Sequence, residues 1–380
     1  MEATFLQSYW WFLVSLLAAI LVFLLFVQGG QSLLFDLAKN DDERTLLVNA
    51  LGRKWEFTFT TLVTFGGAFF ASFPLFYATS FGGAYWLWMV LLFCFILQAV
   101  SYEFRSKAGN LLGKRTYEVF LFINGLSTFL LGVVVGTLFT GAAFTVDTHR
   151  LGNPDMPIVT EWTNAWHGLE ALANPRNVLL GLAVFFLSRT LAELYFIQNV
   201  DHTTLQHRSR NRLRWDGLCF VLVFLSFLSW TLASSGYVLR PETGVIELVK
   251  GVYVHNLLEM PAVGFLLMLG VFAVVFGLVR TLLRPDYRDG IWYAGAGTIA
   301  TVLALMLLAG WNNTAYYPST VHPAQSLTLQ NSSSSPFTLK VMGYASLFIP
   351  VVVAYIFITW KAMNKTPIHM DELKKNGHKY

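Results

Sequence analysis

Residues 9–26 read YWWFLVSLLAAILVFLLF, eighteen consecutive positions without a charge. That length approaches the roughly 20 apolar residues needed to cross the hydrocarbon core of a bilayer. The stretch is apolar on every side, unlike a surface helix of a soluble domain, which keeps a polar face at helical spacing. It extends to a first span over about 9–35. Working outward, comparable runs recur at about 57–79, 82–102, 118–144, 177–199, 217–238, 261–283, 290–311 and 340–362. Only helices and closed barrels satisfy every backbone group in lipid, and these runs do not alternate with period two, so a barrel is excluded. The expectation is an all-α integral membrane protein of about nine transmembrane helices, with residues 1–380 forming a single polytopic membrane domain. Composition agrees: 55% of residues are hydrophobic and 13% charged, against about 25% charged in soluble domains. No soluble domain and no solenoid repeat fit anywhere.

The basic residues test the span count, because cytoplasmic connections carry an excess of Lys and Arg. With nine helices, one side holds Lys39, Arg44, Arg53 and Lys54, the cluster Arg105 to Arg115, the run Arg208 to Arg214, then Arg280, Arg284 and Arg288, and finally Lys361, Lys365, Lys374, Lys375 and Lys379. The other side holds only Arg150, Arg176, Arg240, Lys250 and Lys340, and Arg189 alone falls inside a span. The asymmetry predicts a cytoplasmic C-terminus and an N-terminus that faces out. The first run follows Met1–Ser8, which carries Glu2 but no basic residue. It reads as a retained helix, not as a cleaved signal. The outward connections 145–176, with Trp162, Trp166 and His167, and 312–339, with Ser332–Ser335, read as caps on the bundle or as an aromatic belt.

Charges at bilayer depth are costly and mark places to look for function. Glu56 opens the second span, Glu103 closes the third and Glu118 opens the fourth, all on the basic side. Partly buried carboxyls there can pass protons inward; alternatively they are interfacial, with Glu103 pairing Arg105 or Lys107. Arg189 and Glu193 stand four apart on one helix face, which predicts a structural ion pair; the alternative is a contact with a partner subunit, cofactor or lipid headgroup. All eight histidines, among them His149, His202, His207, His255, His322, His369 and His378, fall in expected connections or the tail. A b-type haem in a bundle wants His, or His with Met, on facing helices, so Met89, Met268 and Met306 read as packing residues and no haem ligation is expected. Cys94 and Cys219 lack metal-site spacing, and no metal site is expected. No phosphate loop, HExxH or nucleophile elbow occurs, and no catalytic residue is assigned to this chain. Arg208–Arg214, beside a span, reads as a topology determinant or anionic-lipid contact and not as a nucleic-acid site. Gly66-Gly67-Ala68 with Pro74 predicts close helix approach and a kink. Gln28-Gly29-Gly30-Gln31 offers amides to a neighbouring helix, or to a bound quinone or lipid.

The segment Trp55-Glu56, then Thr64-Phe65-Gly66-Gly67-Ala68-Phe69-Phe70-Ala71-Ser72-Phe73-Pro74, Tyr77-Ala78, Phe81-Gly82-Gly83-Ala84-Tyr85 and Tyr102-Glu103-Phe104-Arg105-Ser106-Lys107 resembles subunit II of cytochrome bd-type quinol oxidases. Asn40-Asp41-Asp42-Glu43-Arg44, Gly141 to Asp147, Ser326-Leu327-Thr328, Asn331-Ser332-Ser333 and Trp360-Lys361 extend the likeness in order along nearly the whole chain. The resemblance implies two four-helix bundles plus one peripheral helix. It implies a heterodimer with a subunit I that carries two b-type haems, one haem d and the quinol site, and it leaves room for small single-span subunits. It further implies quinol oxidation coupled to reduction of oxygen to water in a bacterial cytoplasmic membrane, electrogenic without pumping. Glu56 and Glu103 then match acids of the cytoplasmic proton path, with Trp55, Arg105, Lys107 and Glu118 in support. The chain departs from the family in lacking the acidic motif late in the first helix, where Gln28 and Gln31 stand. The rival reading is a stand-alone proton-coupled secondary transporter, which places ionisable groups near the midplane.

Overall fold

The computed structural model describes residues 2–107, 109–147, 159–364 and 368. Arg150, Lys365, Lys374, Lys375, Lys379, His149, His369 and His378 lie outside them. The first run forms three consecutive helices, α1 (Glu2–Leu24), α2 (Phe26–Ser32) and α3 (Leu34–Leu37). A short helix α4 (Asp41–Gly52) follows, its first turn capped by the Asn40 side chain, which accepts from the Glu43 amide at 2.8 Å. Next come α5 (Trp55–Ser72), α6 (Pro74–Phe76) running into a π-helical turn Tyr77–Gly82, α7 (Tyr85–Phe104) and α8 (Lys114–Thr140). The second half contains α9 (Pro175–Asn199), α10 (Thr203–Ala233), α11 (Val252–Glu259), α12 (Pro261–Leu283) and α13 (Gly290–Gly310). It closes with the short α14 (Leu329–Ser332), then α15 (Pro336–Ser346) and α16 (Ile349–Met363). Two antiparallel hairpins, β1 (Phe144–Val146) with β2 (Thr160–Trp162) and β3 (Gly236–Leu239) with β4 (Ile246–Val249), accompany two short 3-10 turns, Leu169–Ala173 and Pro323–Gln325.

Among the described residues seven helical segments are long and apolar enough to span a bilayer, or up to nine if each of two bent pairs is one span. The first bent pair turns through 117° between Ser72 and Pro74. Proline has no amide hydrogen for the carbonyl four residues before it, that of Phe70, and its ring collides with the preceding turn; at the break the carbonyl of Ser72 accepts from the amide of Ser334 at 2.8 Å. The second pair, α15 and α16, bends by 41° just before Pro350.

The basic run expected to lie in a connection is helical. His202 caps α10 by accepting from the Leu205 amide, and Arg208–Arg214 ride on the first turns of a 31-residue helix. Charge-rich sequence masked the helix, because hydropathy reports only where a helix is apolar.

Small residues set the closest helix contacts. A Cβ on Gly29 would lie 2.0 Å from the Ser188 carbonyl oxygen, so α2 and α9 touch backbone to backbone there. The close approach expected at Gly66-Gly67 is not made among the described residues. A Cβ on Gly67 would meet nothing within 4 Å, and the nearest atom to one on Gly66 is a Phe81 ring carbon at 3.6 Å. That part of α5 faces outward.

The connections segregate by end. Arg105 reaches Thr45, Arg208 reaches the Leu37 carbonyl, Arg210 reaches the carbonyls of Thr281 and Tyr287, and Lys54 lies 4.1 Å from the Trp360 ring. These contacts gather α4, the α7–α8 and α12–α13 connections and the end of α16 at one pole. At the opposite pole the hairpins meet residues 311–335, through Val146 to Gln325 and Leu239 to Asn313.

Candidate functional site

The basic pole is built around Glu118, 2% exposed. Its carboxylate receives Arg105 at 2.9 Å and Arg44 at 3.0 Å, with Arg115 at 3.6 Å. Arg105 is 1% exposed and also donates to the Thr45 hydroxyl at 3.0 Å. The Asn40–Arg44 segment thus has a physical purpose. Asn40 starts α4, Arg44 reaches Glu118, and Glu43 accepts from the Lys39 amide and from Arg208, both at 2.7 Å. Burial would raise the Glu43 carboxyl, but the Lys39 amide and Arg208 outweigh it and hold it below its ordinary value of 4.5.

Glu103 does not join this cluster. It is exposed and meets Lys107 at 3.2 Å, an exposed pair of the kind that contributes little. Arg105, the other partner considered for it, is engaged by Glu118. Glu56 is also exposed. The residues beside the two acids, Trp55 and Tyr102, stack with ring centroids 5.6 Å apart and planes 17° from parallel, which sets the two acid-bearing helix ends side by side. From Glu56 an exposed stripe runs along α5 through Thr60, Val63, Thr64, Gly67 and Phe70. Beside it α7 exposes Met89, Phe93 and Ile96.

Behind Tyr102 lies a network of neutral amides, all fully buried. Gln31 donates to the Tyr102 hydroxyl at 3.0 Å, Asn124 donates to Gln31 at 2.8 Å and to Gln98, and Gln28 donates to Gln98 at 2.7 Å. The amides at 28 and 31 therefore serve neighbouring helices of this chain. They carry no charge into the bundle, and the network leaves Gln28 Oε1 and Gln98 Nε2 buried without a hydrogen-bond partner among the described residues.

Lys54, not singled out from sequence, is fully buried, and its ammonium finds no hydrogen-bond acceptor among the described residues. It lies over Trp360 at 4.1 Å and Phe57 at 5.9 Å. Burial, with Arg53 nearby, brings it down from 10.5 to about 7.

The expected Arg189–Glu193 pair is corrected by the geometry. Arg189 donates through Nε to Asp216 at 2.8 Å, through Nη2 to Asp36 at 2.9 Å, and through Nη1 to the Ser32 carbonyl and hydroxyl at 3.3 and 3.2 Å. Spacing of four along one helix competes here with acids from α3 and α10 that approach end-on. Asp216 was missed because it follows Arg208–Arg214 immediately; its place four after Arg212, a spacing that pairs charges on a helix, was the available signal.

Among the described residues no group of three or more His, Cys, Asp or Glu is placed to hold a metal ion. The described histidines are intermediate or exposed and lie at helix ends, on short helices or in connections. No facing pair of them forms a haem site.

Comparison with known proteins covers almost the whole chain. The family model described as cytochrome bd terminal oxidase subunit II matches residues 6–363. The cytochrome bd-I ubiquinol oxidase subunit 2 of Escherichia coli K12 is 26% identical over 393 residues, covering 98% of each chain. The cytochrome bd ubiquinol oxidase subunit 2 of Bacillus subtilis is 27% identical over 375 residues, covering 96% of this chain and 97% of its own. A probable cytochrome oxidase subunit 2 of Haemophilus influenzae is 27% identical over 374 residues, covering 94% of each. In fold, the chain is similar to a chain of the bd oxidase structure from Geobacillus thermodenitrificans, with a TM-score of 0.61 at 15% identity, over 96% of this chain and 99% of that one.

Proposed function

Because this chain belongs to the cytochrome bd terminal oxidase subunit II family and is a subunit of a quinol oxidase complex, an oxidoreductase, we propose that it is the haem-free scaffold for a haem-bearing subunit I and supplies the entry of a proton path at Glu56 and Glu103. Family membership displaces the stand-alone transporter. The haems, two b-type and one d, and the quinol site are assigned to subunit I. The side chains described in this chain do not fit a haem.

The observation that carries the proton role is the placement of two exposed carboxylates side by side at the basic pole, joined by the Trp55–Tyr102 stack. They cap an outward face of α5 and α7 that is otherwise uncharged and includes Gly67, a residue small enough for another helix to approach closely. A partner seated there would bury both acids, and a buried carboxyl takes and releases a proton nearer neutrality than an exposed one. Arg105 and Glu118 act behind them as a fixed strut, and Lys107 as the surface counter-charge of Glu103. Convergence of the basic connections at one pole supports a cytoplasmic C-terminus, an N-terminus outside and residence in a bacterial cytoplasmic membrane. The helix contacts support one polytopic domain of two four-helix bundles, α1/α2–α5–α7–α8 and α9–α10–α12–α13, with α16 peripheral.

The test uses the assembled complex. With both acids replaced, Glu56→Gln and Glu103→Gln, oxygen reduction falls by on the order of a hundredfold, the lower end of what positioned proton-transfer groups contribute, while haem spectra stay unchanged. Unaltered turnover and proton uptake in that variant would remove the proton role and leave the scaffold role standing.

A further inference from the structure

Glu193 and Asp216 face each other where α9 packs on α10, at 0% and 2% exposure. Neither carboxyl oxygen of Glu193 meets a hydrogen-bond donor among the described residues. The Asp216 carboxyl lies within hydrogen-bonding reach of it. Two touching carboxyls in an apolar interior do not both stay ionised; one proton between them removes the repulsion and turns one acid into a donor.

The surrounding charges call for the same proton. Asp216 accepts through Oδ2 from Arg189 at 2.8 Å and from Arg212 at 3.3 Å. Asp36 Oδ2 takes the same two arginines at 2.9 and 3.6 Å. With Glu193 the cluster has three acids to two guanidiniums, so a single proton makes it neutral. The charged groups acting on Glu193 are Asp216 and Arg212 of α10 and Arg189 of its own helix. From α2, Ser32 offers only neutral groups to Arg189, and from α8 Thr128 meets Ser188. Since Asp216 already binds two guanidiniums, the proton belongs on Glu193, which then donates to Asp216 and is no longer an orphan.

One side of the cluster opens to water. Asp36 and Arg212 are each nearly half exposed. Together with Lys39, Arg208, Asn211 and Trp215 they line an open pocket of about 490 Å³ at the basic pole. We infer that Glu193 and Asp216 form a buried proton-binding site, holding one proton between them and exchanging it with water through the pocket at Asp36 and Arg212. The site lies in the second half of the chain and does not depend on the role proposed for Glu56 and Glu103.

Infrared spectroscopy of the intact oxidase complex tests this. The wild type should show an un-ionised carboxylic carbonyl band that persists on alkaline titration and shifts on transfer to heavy water. Glu193→Gln should delete that band while leaving the thermal midpoint of the complex where it was, since a neutral amide replaces a neutral acid. Asp216→Asn should delete it as well, because Glu193 then ionises against the freed guanidiniums. A spectrum unchanged by Glu193→Gln overturns the proposal. So does a band that survives Asp216→Asn, which would put the proton on a solitary acid, or a large fall in the thermal midpoint of Glu193→Gln, which would mark Glu193 as an ionised partner.

Discussion

Lys54 and Glu43 stand one helix apart at the basic pole and respond to burial in opposite ways. An ammonium without an acceptor is held by two aromatic rings, a contact worth about 2 kcal/mol when desolvated, and its proton is weakened to the point of leaving near pH 7. The unfolded chain keeps that proton up to about 10.5. Between those limits the unfolded state binds more protons than the folded one, so stability rises as pH is raised through the interval. Lys54→Met is therefore expected to raise the thermal midpoint of the complex below pH 7, with the gain shrinking to nothing toward the upper limit. Equal gains at both ends would contradict the assignment. Glu43 runs the other way. Its proton is held below the ordinary 4.5, so its stabilisation is present above that value and drains away as pH falls through it. Glu43→Gln should cost on the order of 1–3 kcal/mol at neutral pH, the range for a charge-assisted hydrogen bond. The variant and wild type should converge on acidification, as read by denaturation midpoints.

At the scale of elements, glycines separate contacts inside the chain from faces that look outward. Gly29 brings α2 against the backbone of α9, and Gly29→Val forces the two apart. The expected cost is about 1–3 kcal/mol or more, as for overpacked cores, visible as a lowered midpoint. The same change at Gly67, where a Cβ meets nothing, should leave this chain's own stability within about 0.5 kcal/mol, the usual scatter of surface substitutions. Sequence reasoning expects close helix approach at Gly66-Gly67, and around Gly29-Gly30 it offers amides to a neighbouring helix, a quinone or a lipid. It had no way to tell an inward from an outward face, because a helix in lipid is apolar all round and its hydrophobic pattern no longer points to the core. The break at Pro74 was legible because proline acts locally. The extent of α10 was not, because its first turns are as charged as a loop.

Across the whole molecule, what could be read early was what is summed over many residues: the number and length of apolar runs and the side on which the cations fall. What escaped was pairing between distant segments. Asp36, Arg189 and Asp216 are joined across more than 150 residues of chain, and nothing in local spacing favours that set over Arg189 with Glu193. The Glu56–Glu103 site was legible as two acids in a motif, while their exposure in the isolated chain became visible only with the helices assembled. That exposure, with the uncharged α5–α7 face around it, carries the prediction for this scale. Gly67→Trp should sharply reduce recovery of the haem-bearing partner in affinity purification from mild detergent while this chain is still made and inserted. Full recovery would place the partner on a different face.

The length of α10 has a consequence of its own. Thirty-one residues at 1.5 Å each make about 46 Å of rod in a hydrocarbon layer of about 30 Å. The surplus carries Arg208–Arg214, of which Arg208, Arg210 and Arg212 hold groups of this chain and Arg214 is exposed, so these charged turns form a collar at the level of the bilayer surface. A thicker or thinner membrane shifts that collar relative to the lipid phosphates, and with it Arg212 at the mouth of the pocket. The rod becomes a depth gauge, and the length of the surrounding acyl chains becomes a setting on how freely water reaches the acid beneath it.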